Sequence, residues 1–466
     1  MKFALPFAAA AITGLSLSAA TEMPLAHWPS WRGPTANGVS STATPPVEWS
    51  EEKNVRWKIA LPGRGTSTPI LWGDQVFLLT AIPNAAAAAA AATTNAPAAA
   101  PAPAAPAAPA DPTPGPGERR RRGGPGGTSE APTLEQKFTV LAYDRATGAA
   151  RWSRTARTQV PHEGHHRDHG FASASPVTDG EVLIASFGSF GIYAYDLQGA
   201  LLWEKDLGDM RTRNSFGEGS SPALHGNTVV VLWDHEGDDF IVALDRKTGR
   251  ELWRQKRDEP TGWSTPLIME QSGKPVVVVN GTQKVRAYDL ATGALLWEAG
   301  GQTANAIPSP VPFDGRVIVM SGFRGSALQV IRLGGSGDLT GSDSIVWSHN
   351  KNTPYVPSPL LYGDRLYFLS ENNAMLSILD ATTGKPAVQA ERLNGLQGVY
   401  ASPVGAADRV YLIGRDGGAL VLKNTSALEV LATNRLDDGF DASPALAGRD
   451  LFLRGRQNLY CLSEAK

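Results

Sequence analysis

A Ser-Pro or Thr-Pro step that recurs along the chain is the feature that most constrains its fold. After an initial gap of 107 residues, the prolines are separated by 46, 44, 44, 49, 44 and 41 residues. Self-similarity with a period of about 20 to 50 residues is typical of solenoids and propellers, in which each repeat is one supersecondary unit. The eight steps predict eight units of similar size, and their prolines are Pro69, Pro176, Pro222, Pro266, Pro310, Pro359, Pro403 and Pro444.

The long first gap contains an insert, residues 83–136, which is rich in Ala, Pro and Gly and carries four arginines at 119–122. Without these 54 residues the gap is 53 residues, close to the others. Such a composition offers little beyond alanine to build a core, so we expect a disordered and dispensable tract within the first unit. The alternative is a tether to a wall, an anionic polymer or a partner through the arginines.

Two strand motifs repeat inside the units. A run of β-branched or aromatic residues follows each proline, as at 229–232, 276–279 and 366–369. Because these runs are continuously apolar, both faces of the strand should be covered. The pattern Asp-x-x-Thr-Gly-x-x-x-Trp then occurs at 144–152, 245–253 and 289–297. The glycine suits a tight hairpin and the tryptophan can pack against a neighbouring sheet.

Four short antiparallel strands in each of eight units predict an all-β fold, an eight-bladed β-propeller spanning residues 55–466. The last unit is one strand short, while residues 55–59 have no unit of their own. We therefore expect the N-terminal strand to complete the eighth blade and cover two sheet edges. Residues 21–54 would form a lead-in segment. Two four-bladed or unrelated domains are the alternative, although no linker divides the units after residue 136.

The first 20 residues predict a secretory signal peptide. Lys2 precedes an apolar run over 3–17, and Ser18, Ala19 and Ala20 form a small-residue exit. This arrangement is typical of a segment cleaved after Ala20, and a buried N-terminal helix is the alternative. We expect a periplasmic or secreted protein with no membrane span and, since no cysteine lies near residue 20, no lipid anchor.

Charge and cysteine content exclude several classes of function. The 43 basic and 45 acidic side chains give a net charge of -2, so no basic footprint for nucleic acid exists. Cys461 is the single cysteine, which excludes intramolecular disulfides, CxxC metal sites and CxxCH haem sites. We expect a monomer.

The Ser-Pro steps and the Asp-to-Trp motifs together resemble the repeats of pyrroloquinoline-quinone-like (PQQ-like) β-propellers, from about residue 55 to the C-terminus. Some members of that superfamily are quinone-dependent alcohol or sugar dehydrogenases and others are scaffolds without a cofactor. The resemblance implies PQQ and Ca²⁺ as possible cofactors. The alcohol dehydrogenases hold the quinone under a disulfide of adjacent cysteines, however, and Cys461 alone cannot form one. The repeat motif also erodes at Val388 and over 423–432.

Propeller geometry indicates where chemistry could lie. The link from each outer strand to the next inner strand and the hairpin between the second and third strands open on one face of the channel. One such link, residues 161–176, contains four of the eight histidines. Imidazoles can bind metals or transfer protons near neutral pH, whereas a solvated polar loop is the alternative. The candidates in this link are His162, Glu163, His165, His166, Asp168 and His169.

A hairpin at residues 233–239 is the second polar segment. Its carboxylates could hold Ca²⁺ or act as acid and base in hydrolysis, and a charged hairpin tip is the alternative. The candidates there are Asp234, His235, Glu236, Asp238 and Asp239.

Other loops on the predicted top face carry arginine, asparagine and aromatic residues. These side chains suit anionic or sugar-like ligands and protein anchors alike, or they could only plug the channel. The candidates are Arg211, Arg213, Asn214, Trp263, Asn305, Arg324 and Tyr355.

The sequence favours a scaffold that binds a ligand or a partner protein on its top face, without bound quinone and without covalent chemistry of its own. The alternatives are a PQQ-dependent oxidoreductase of the alcohol or sugar dehydrogenase type and a metal-dependent hydrolase built on the two polar segments. No catalytic residue is assigned.

Overall fold

A computed structural model describes residues 26–84 and 132–464 of the chain. In them, eight four-stranded antiparallel sheets stand in a ring around a central channel, so the predicted eight-bladed β-propeller is confirmed. The signal-peptide prediction for residues 1–20 lies outside the described residues, as does most of the predicted insert. No helix in the described ranges has the length and apolar character needed to cross a membrane.

Each blade runs from an inner strand beside the channel to an outer strand at the circumference. Blade 1 consists of Ile70–Trp72, Gln75–Pro83, Gln136–Asp144 and Ala150–Gln159. Blade 2 consists of Val177–Thr178, Leu183–Ser186, Ile192–Tyr195 and Leu201–Lys205, and blade 3 of Ala223–His225, Thr228–Trp233, Phe240–Asp245 and Glu251–Lys256. Blade 4 consists of Leu267–Gln271, Lys274–Asn280, Lys284–Asp289 and Leu295–Gly300, with Gly337–Asp338 added to its outer edge.

The second half of the ring follows the same order. Blade 5 consists of Val311–Phe313, Arg316–Ser321, Ala327–Arg332 and Ile345–His349, and blade 6 of Leu360–Tyr362, Arg365–Leu369, Met375–Asp380 and Pro386–Arg392. Blade 7 consists of Val404–Ala406, Arg409–Ile413, Gly418–Lys423 and Val430–Arg435, with Val39–Ser40 paired in parallel to its inner strand. Two short 3-10 helices occur at Gly188–Phe190 and Arg213–Ser215.

The chain termini close the ring as predicted. Blade 8 combines Ala445–Ala447, Asp450–Arg454 and Asn458–Leu462 with the N-terminal strand Val55–Ala60 as its outer strand. Val55 lies opposite Leu462 and Ala60 opposite Asn458 in an antiparallel ladder. This pairing leaves blade 8 with the same four strands as the others.

The serine or threonine of each Ser/Thr-Pro step belongs to a ring of hydrogen bonds around the channel. The backbone N–H of one step donates to the side-chain hydroxyl of the next blade's step, as from Ser175 to Ser221 at 2.9 Å. Seven consecutive links of this kind have lengths of 2.8 to 3.1 Å. Because proline removes its own N–H, the preceding residue supplies the donor that joins adjacent blades.

The closing seam between blades 8 and 1 is joined differently. Within the described chain, no bond of that kind links Ser443 to Thr68. Instead the buried guanidinium of Arg454 donates to the backbone oxygens of Ser67 and Leu79, at 3.3 and 2.6 Å. Burial lowers the pKa of Arg454 to about 9.

The Asp-to-Trp motif joins the blades at the circumference. Trp203 of blade 2 donates its indole N–H to the carbonyl of Arg246 in the turn of blade 3 at 2.7 Å. The glycine of that turn, Gly249, has φ of +67°, and a Cβ there would lie 2.7 Å from the Trp203 ring. The glycine therefore allows both the turn and the close approach of the neighbouring tryptophan. The indoles of Trp57, Trp152, Trp253 and Trp347 make the same kind of bond.

The lead-in segment crosses the end of the channel opposite the top face. Trp28 pairs with Leu71 of blade 1, and the carbonyl of Pro29 accepts from Thr178 of blade 2. The buried guanidinium of Arg32 donates to the carbonyls of Pro403 and Pro359, beside blades 7 and 6, at 2.9 and 2.8 Å. Residues 28–32 therefore span the channel and form a plug.

The predicted insert emerges from the second hairpin of blade 1. Pro83 and Gln136 are themselves strand residues and lie opposite each other at the end of the ladder. Residues 85–131, which include most of this insert, lie outside the described residues. The hairpin of blade 1 that carries the insert therefore starts from a regular pair of strand residues, Pro83 and Gln136.

Candidate functional site: the channel cavity

The channel encloses a cavity of about 840 Å³. Its wall consists of the links between blades, the hairpin of blade 5 that carries Phe323 and Arg324, and the eight serine and threonine residues of the hydrogen-bonded ring. Trp31 of the plug also lines it. The cavity is thus a cup whose wall is built by the loops of the predicted top face, with the plug at its base.

A simple sequence rule describes much of the wall. The residue two positions before each ring serine or threonine also lines the cavity, because side chains two apart on an extended chain point the same way. These residues are Thr66, Ser173, Gly219, Trp263, Ile307, Val356, Tyr400 and Asp441. Each blade therefore contributes one variable residue, a glycine in one case, beside one constant hydroxyl.

The histidine-rich link is divided between the cavity and the protein interior. His166 and His169 line the cavity, together with Arg167 and Asp168. His162 instead bonds the carbonyl of Met210 at 2.7 Å through Nε2. His165 packs edge-on against Phe171 with ring centroids 4.6 Å apart. The four histidines of this link therefore do not converge on a single site.

Burial keeps the inner histidines of this link neutral. Desolvation lowers the pKa of His169 to about 3, and it also lowers the pKa values of His165 and His166. The buried Nδ1 of His169 has no hydrogen-bond partner in the described structure. A neutral imidazole with a free nitrogen can accept or donate one hydrogen bond, but His169 does not carry charge near pH 7.

Asp168 joins the histidine-rich link, which runs from blade 1 to blade 2, to the loops around blade 7 at the channel mouth. Its carboxylate lies 3.0 Å from a guanidinium nitrogen of Arg415 in blade 7 and accepts from the hydroxyl of Tyr400 at 3.2 Å. Arg415 lies over the Tyr400 ring at 3.9 Å and also binds Asp441 at 2.5 Å. Burial tends to raise the pKa of Asp168, but Arg415 outweighs it and the pKa is lowered. We call Asp168, Arg415, Tyr400 and Asp441 the latch.

The acidic hairpin points into the fold. The carboxylate of Asp234 forms a two-pronged ion pair with Arg257, at 2.6 and 3.0 Å, and the two side chains are 1% and 0% exposed. Burial tends to lower the pKa of Arg257, but the Asp234 carboxylate outweighs it and raises that pKa. Asp239 accepts from the backbone N–H of Glu259 at 2.7 Å.

The remaining hairpin residues are also occupied by local contacts. His235 accepts from the N–H of Arg211 at 3.1 Å, and Glu236 accepts from Thr261 at 2.9 Å. Asp238 is exposed. Trp233 and Asp234 of this hairpin border a small side pocket, and no residue of 233–239 lines the channel cavity.

The side pocket of about 40 Å³ lies between blades 2 and 3 and shares Ser173, Gly219 and Trp263 with the main cavity. It contains three carboxylates, those of Glu163, Glu218 and the ion-paired Asp234. Glu163 accepts from the backbone N–H of Thr212 at 3.1 Å, and Glu218 accepts from that of Ser189 at 2.8 Å. Burial raises the pKa of Glu218 to about 7. The pocket has room for a water molecule rather than an organic ligand.

The other predicted residues lie mostly on the cavity wall. Arg213, Asn214, Trp263, Asn305, Arg324 and Tyr355 all line it, whereas Arg211 does not. A guanidinium nitrogen of Arg213 donates to the amide oxygen of Asn305 at 3.2 Å, and Phe323 stacks on Tyr355 at 4.9 Å. Blades 3 to 6 thus contribute a continuous group of cationic, amide and aromatic side chains.

Several wall residues were not predicted from the sequence. Tyr400 and Asp441 occupy the same position, two before the ring serine, that Trp263 occupies before Thr265. Aligning all eight Ser/Thr-Pro steps would have found them. Trp31 and Arg415 had no such signal, because the plug precedes the repeats and Arg415 is one of many hairpin arginines.

The donor set of the cavity does not fit a Ca²⁺-bound quinone. Within the described residues, no three side chains of His, Cys, Asp or Glu are placed to hold a metal ion. The two cavity carboxylates, Asp168 and Asp441, both bind Arg415. Cys461 is buried in the last strand, and it has no adjacent cysteine. The same finding leaves the metal-dependent hydrolase without a ligand set among the described residues.

The blade number, the Ser/Thr-Pro ring and the tryptophan docking define a propeller of the PQQ-like repeat class. A family model described as outer membrane protein assembly factor BamB matches residues 136–386 and 241–466. Together these matches cover more than half of the chain, and the chain belongs to that family. A curated relative, the outer membrane protein assembly factor BamB of Francisella salina, is 26% identical over 100 residues, which are 22% of this chain and 18% of the relative.

Solved structures share the fold at low sequence identity. A europium-containing methanol dehydrogenase superposes with a TM-score of 0.62 at 10% identity, covering 95% of this chain and 98% of that one. The quinohemoprotein alcohol dehydrogenase of Comamonas testosteroni gives 0.60 at 11% identity, covering 96% and 82%. BamB from Moraxella catarrhalis gives 0.50 at 14% identity, covering 69% and 91%. At these identities the likeness concerns the fold alone.

Proposed function

We propose that this protein is a binding scaffold whose site is the top face of the propeller and the channel cavity beneath it. The observation that carries the proposal is the cup of about 840 Å³, lined by hydroxyl, amide, aromatic and arginine side chains. Sites that hold small polar ligands are concave and combine apolar walls with a few placed polar groups. The scaffold needs no covalent chemistry of its own.

Two further features support a location outside the cytoplasm. Residues 1–20 have the pattern of a cleaved signal peptide. The family description and the Francisella relative both refer to outer membrane protein assembly. We infer a secreted or periplasmic protein, and a partner protein that docks on the rim of the cup is the second candidate occupant of the same face.

A thermal-unfolding screen of small polar compounds tests the proposal. A ligand that binds the folded state raises the melting temperature with its concentration. We expect compounds that stabilise the wild type and fail to stabilise Trp263→Ala or Tyr355→Ala. Phe313→Ala is the matched control, because Phe313 ends the inner strand of blade 5 away from the cavity lining. It should respond like the wild type.

Two results would contradict the scaffold. One is stabilisation that persists unchanged in both cavity variants. The other is dye-coupled oxidation of an alcohol or sugar by the purified protein with added quinone and Ca²⁺, lost in Asp168→Asn or Asp441→Asn. The second result would favour the oxidoreductase.

A further inference from the structure

The charges that face the cavity are unevenly distributed. On the side of the latch, Asp168 and Asp441 are both bound by Arg415, and Asp441 also binds Arg456 at 2.9 Å. Negative charge there is already neutralised. On the side of blades 3 to 6, Arg213 and Arg324 line the cavity. Within the described ranges, neither guanidinium has a carboxylate oxygen within 4.0 Å.

The contacts of these two arginines leave their charge available. Arg213 donates to the neutral amide of Asn305, and Arg324 lies over the ring of Phe323 at 5.2 Å. Both are exposed to the cavity side. A guanidinium without an acidic partner is well suited to bind a carboxylate or a phosphate through two parallel hydrogen bonds.

The backbone holds this side of the wall in an unusual conformation. Asn214, Asn305 and Arg324 have φ of +54°, +55° and +54°. For a residue with a Cβ, the left-handed region costs on the order of 1 kcal/mol, and asparagine tolerates it better than arginine. Residues in such conformations concentrate at ligand sites. Arg324 lies at the tip of its hairpin over Phe323, whose ring stacks on Tyr355.

The rest of the wall favours a ligand that carries hydroxyl groups. Each ring hydroxyl that accepts the N–H of the preceding step keeps its own proton for donation, and in the part of the chain described none of these hydroxyls donates to a protein acceptor. Asn305 adds an amide, while Trp263, Tyr355 and Trp31 offer aromatic faces. Such a surface matches the hydroxyls and the C–H faces of a sugar.

We propose that the cavity binds a polyhydroxylated anion, of the class of sugar acids or sugar phosphates, with its carboxylate or phosphate held by Arg213 and Arg324. This proposal rests on the proposed function, since it names the ligand class of the same site.

Isothermal titration calorimetry of the full chain with gluconate, glucose 6-phosphate and glucose tests it. The first two probes separate a carboxylate from a phosphate, and glucose is their neutral counterpart. We expect at least one anionic probe to bind about tenfold or more tightly than glucose, with an affinity that falls as salt is added. Arg213→Gln/Arg324→Gln should lose this preference, and Arg250→Gln, an exposed arginine in a turn on the other face, should keep it.

The proposal is overturned if glucose binds as tightly as both anions, if no probe binds, or if anion binding survives in the double variant. These outcomes differ from failure of the scaffold. Equal binding of glucose that Tyr355→Ala abolishes would keep the cup as a binding site and make its ligand neutral.

Discussion

The two polar segments that stand out in the sequence, residues 161–170 and 233–239, have opposite surroundings in the fold. In the first, His166, Asp168 and His169 face the cavity, and Asp168 reaches a partner 247 residues later, Arg415. In the second, Asp234 is enclosed with Arg257, 23 residues later, inside blade 3 and its following link. Two segments of similar composition therefore have different roles: residues 161–170 contribute to the candidate site, and residues 233–239 stabilise the fold.

This difference shows that the role of a carboxylate in the fold depends on the groups that bind it. Asp234 has a buried arginine held by two hydrogen bonds, and Asp168 has a partly exposed one. Glu218 has two hydrogen-bond donors from Ser189 and forms no ion pair within residues 26–84 and 132–464. These three environments should differ in stability and pH dependence, and each can be altered separately.

The largest effect is expected for Asp234→Ala. Removing the carboxylate leaves the Arg257 guanidinium buried without its counter-charge, which should reduce the free energy of unfolding by about 3 to 5 kcal/mol. Denaturant titration measures it. Asp238→Ala in the same hairpin removes an exposed carboxylate and should change stability by no more than about 0.5 kcal/mol. Equal effects for the two variants would show that Asp234 is not structural.

A smaller, pH-dependent effect is expected for Glu218. Its pKa in the fold is about 7, above the ordinary value of 4.5, so the folded state binds the proton more tightly. Stability should therefore fall as pH rises from about 4.5 to 7, by on the order of 2 to 3 kcal/mol from this group. Glu218→Gln should remove that component.

The control for this pH profile is Glu204→Gln, on the exposed outer strand of blade 2. Subtracting the pH profile of the variant from that of the wild type separates the contribution of Glu218 from that of His169. The lowered pKa of His169 makes stability rise with pH, because the unfolded chain binds that proton more tightly. A wild-type pH profile in Glu218→Gln would contradict the assignment.

The smallest change in stability is expected for Asp168→Asn. A partly exposed ion pair contributes about 1 kcal/mol or less, so the unfolding free energy should barely change. The backbone amides of residues 161–170 should nevertheless exchange hydrogen faster, because the latch no longer holds the link. Mass spectrometry of exchange measures this, with Asp364→Asn as an exposed control. Unchanged exchange in the link would mean that the latch does not restrain it.

Protonation of Asp168 in acid should have the same effect as Asp168→Asn. The folded pKa of Asp168 is lowered, so its contribution is present above the unfolded value near 4 and is lost as pH falls through the folded value. Protection of the link, taken relative to the intrinsic exchange rate at each pH, should thus be retained at neutral pH and fall only in strong acid.

The sequence predicted the ring but only part of its site. The repeated Ser/Thr-Pro steps predicted eight blades, because a periodic backbone pattern is local and survives the loss of Trp at Val388. The arginine that pairs with a given carboxylate, in contrast, is not determined by the neighbouring sequence. Nothing next to Asp234 in the sequence distinguishes it from Asp168, since the folding of blade 3 brings Arg257 to Asp234 and the closed ring brings Arg415 to Asp168. Tyr400 and Asp441 were predictable from register with Trp263, whereas the plug at Trp31 had no repeat to align with.

The plug covers one end of the channel, so the cavity opens toward the top face. Residues 28–32 reach from blades 1 and 2 to blades 6 and 7, and the hydrogen bonds of Arg32 to the carbonyls of Pro359 and Pro403 hold them across the end of the channel opposite the latch. A chain shortened to begin at Val55 would keep the outer strand of its eighth blade but would lose the segment that covers this end of the channel.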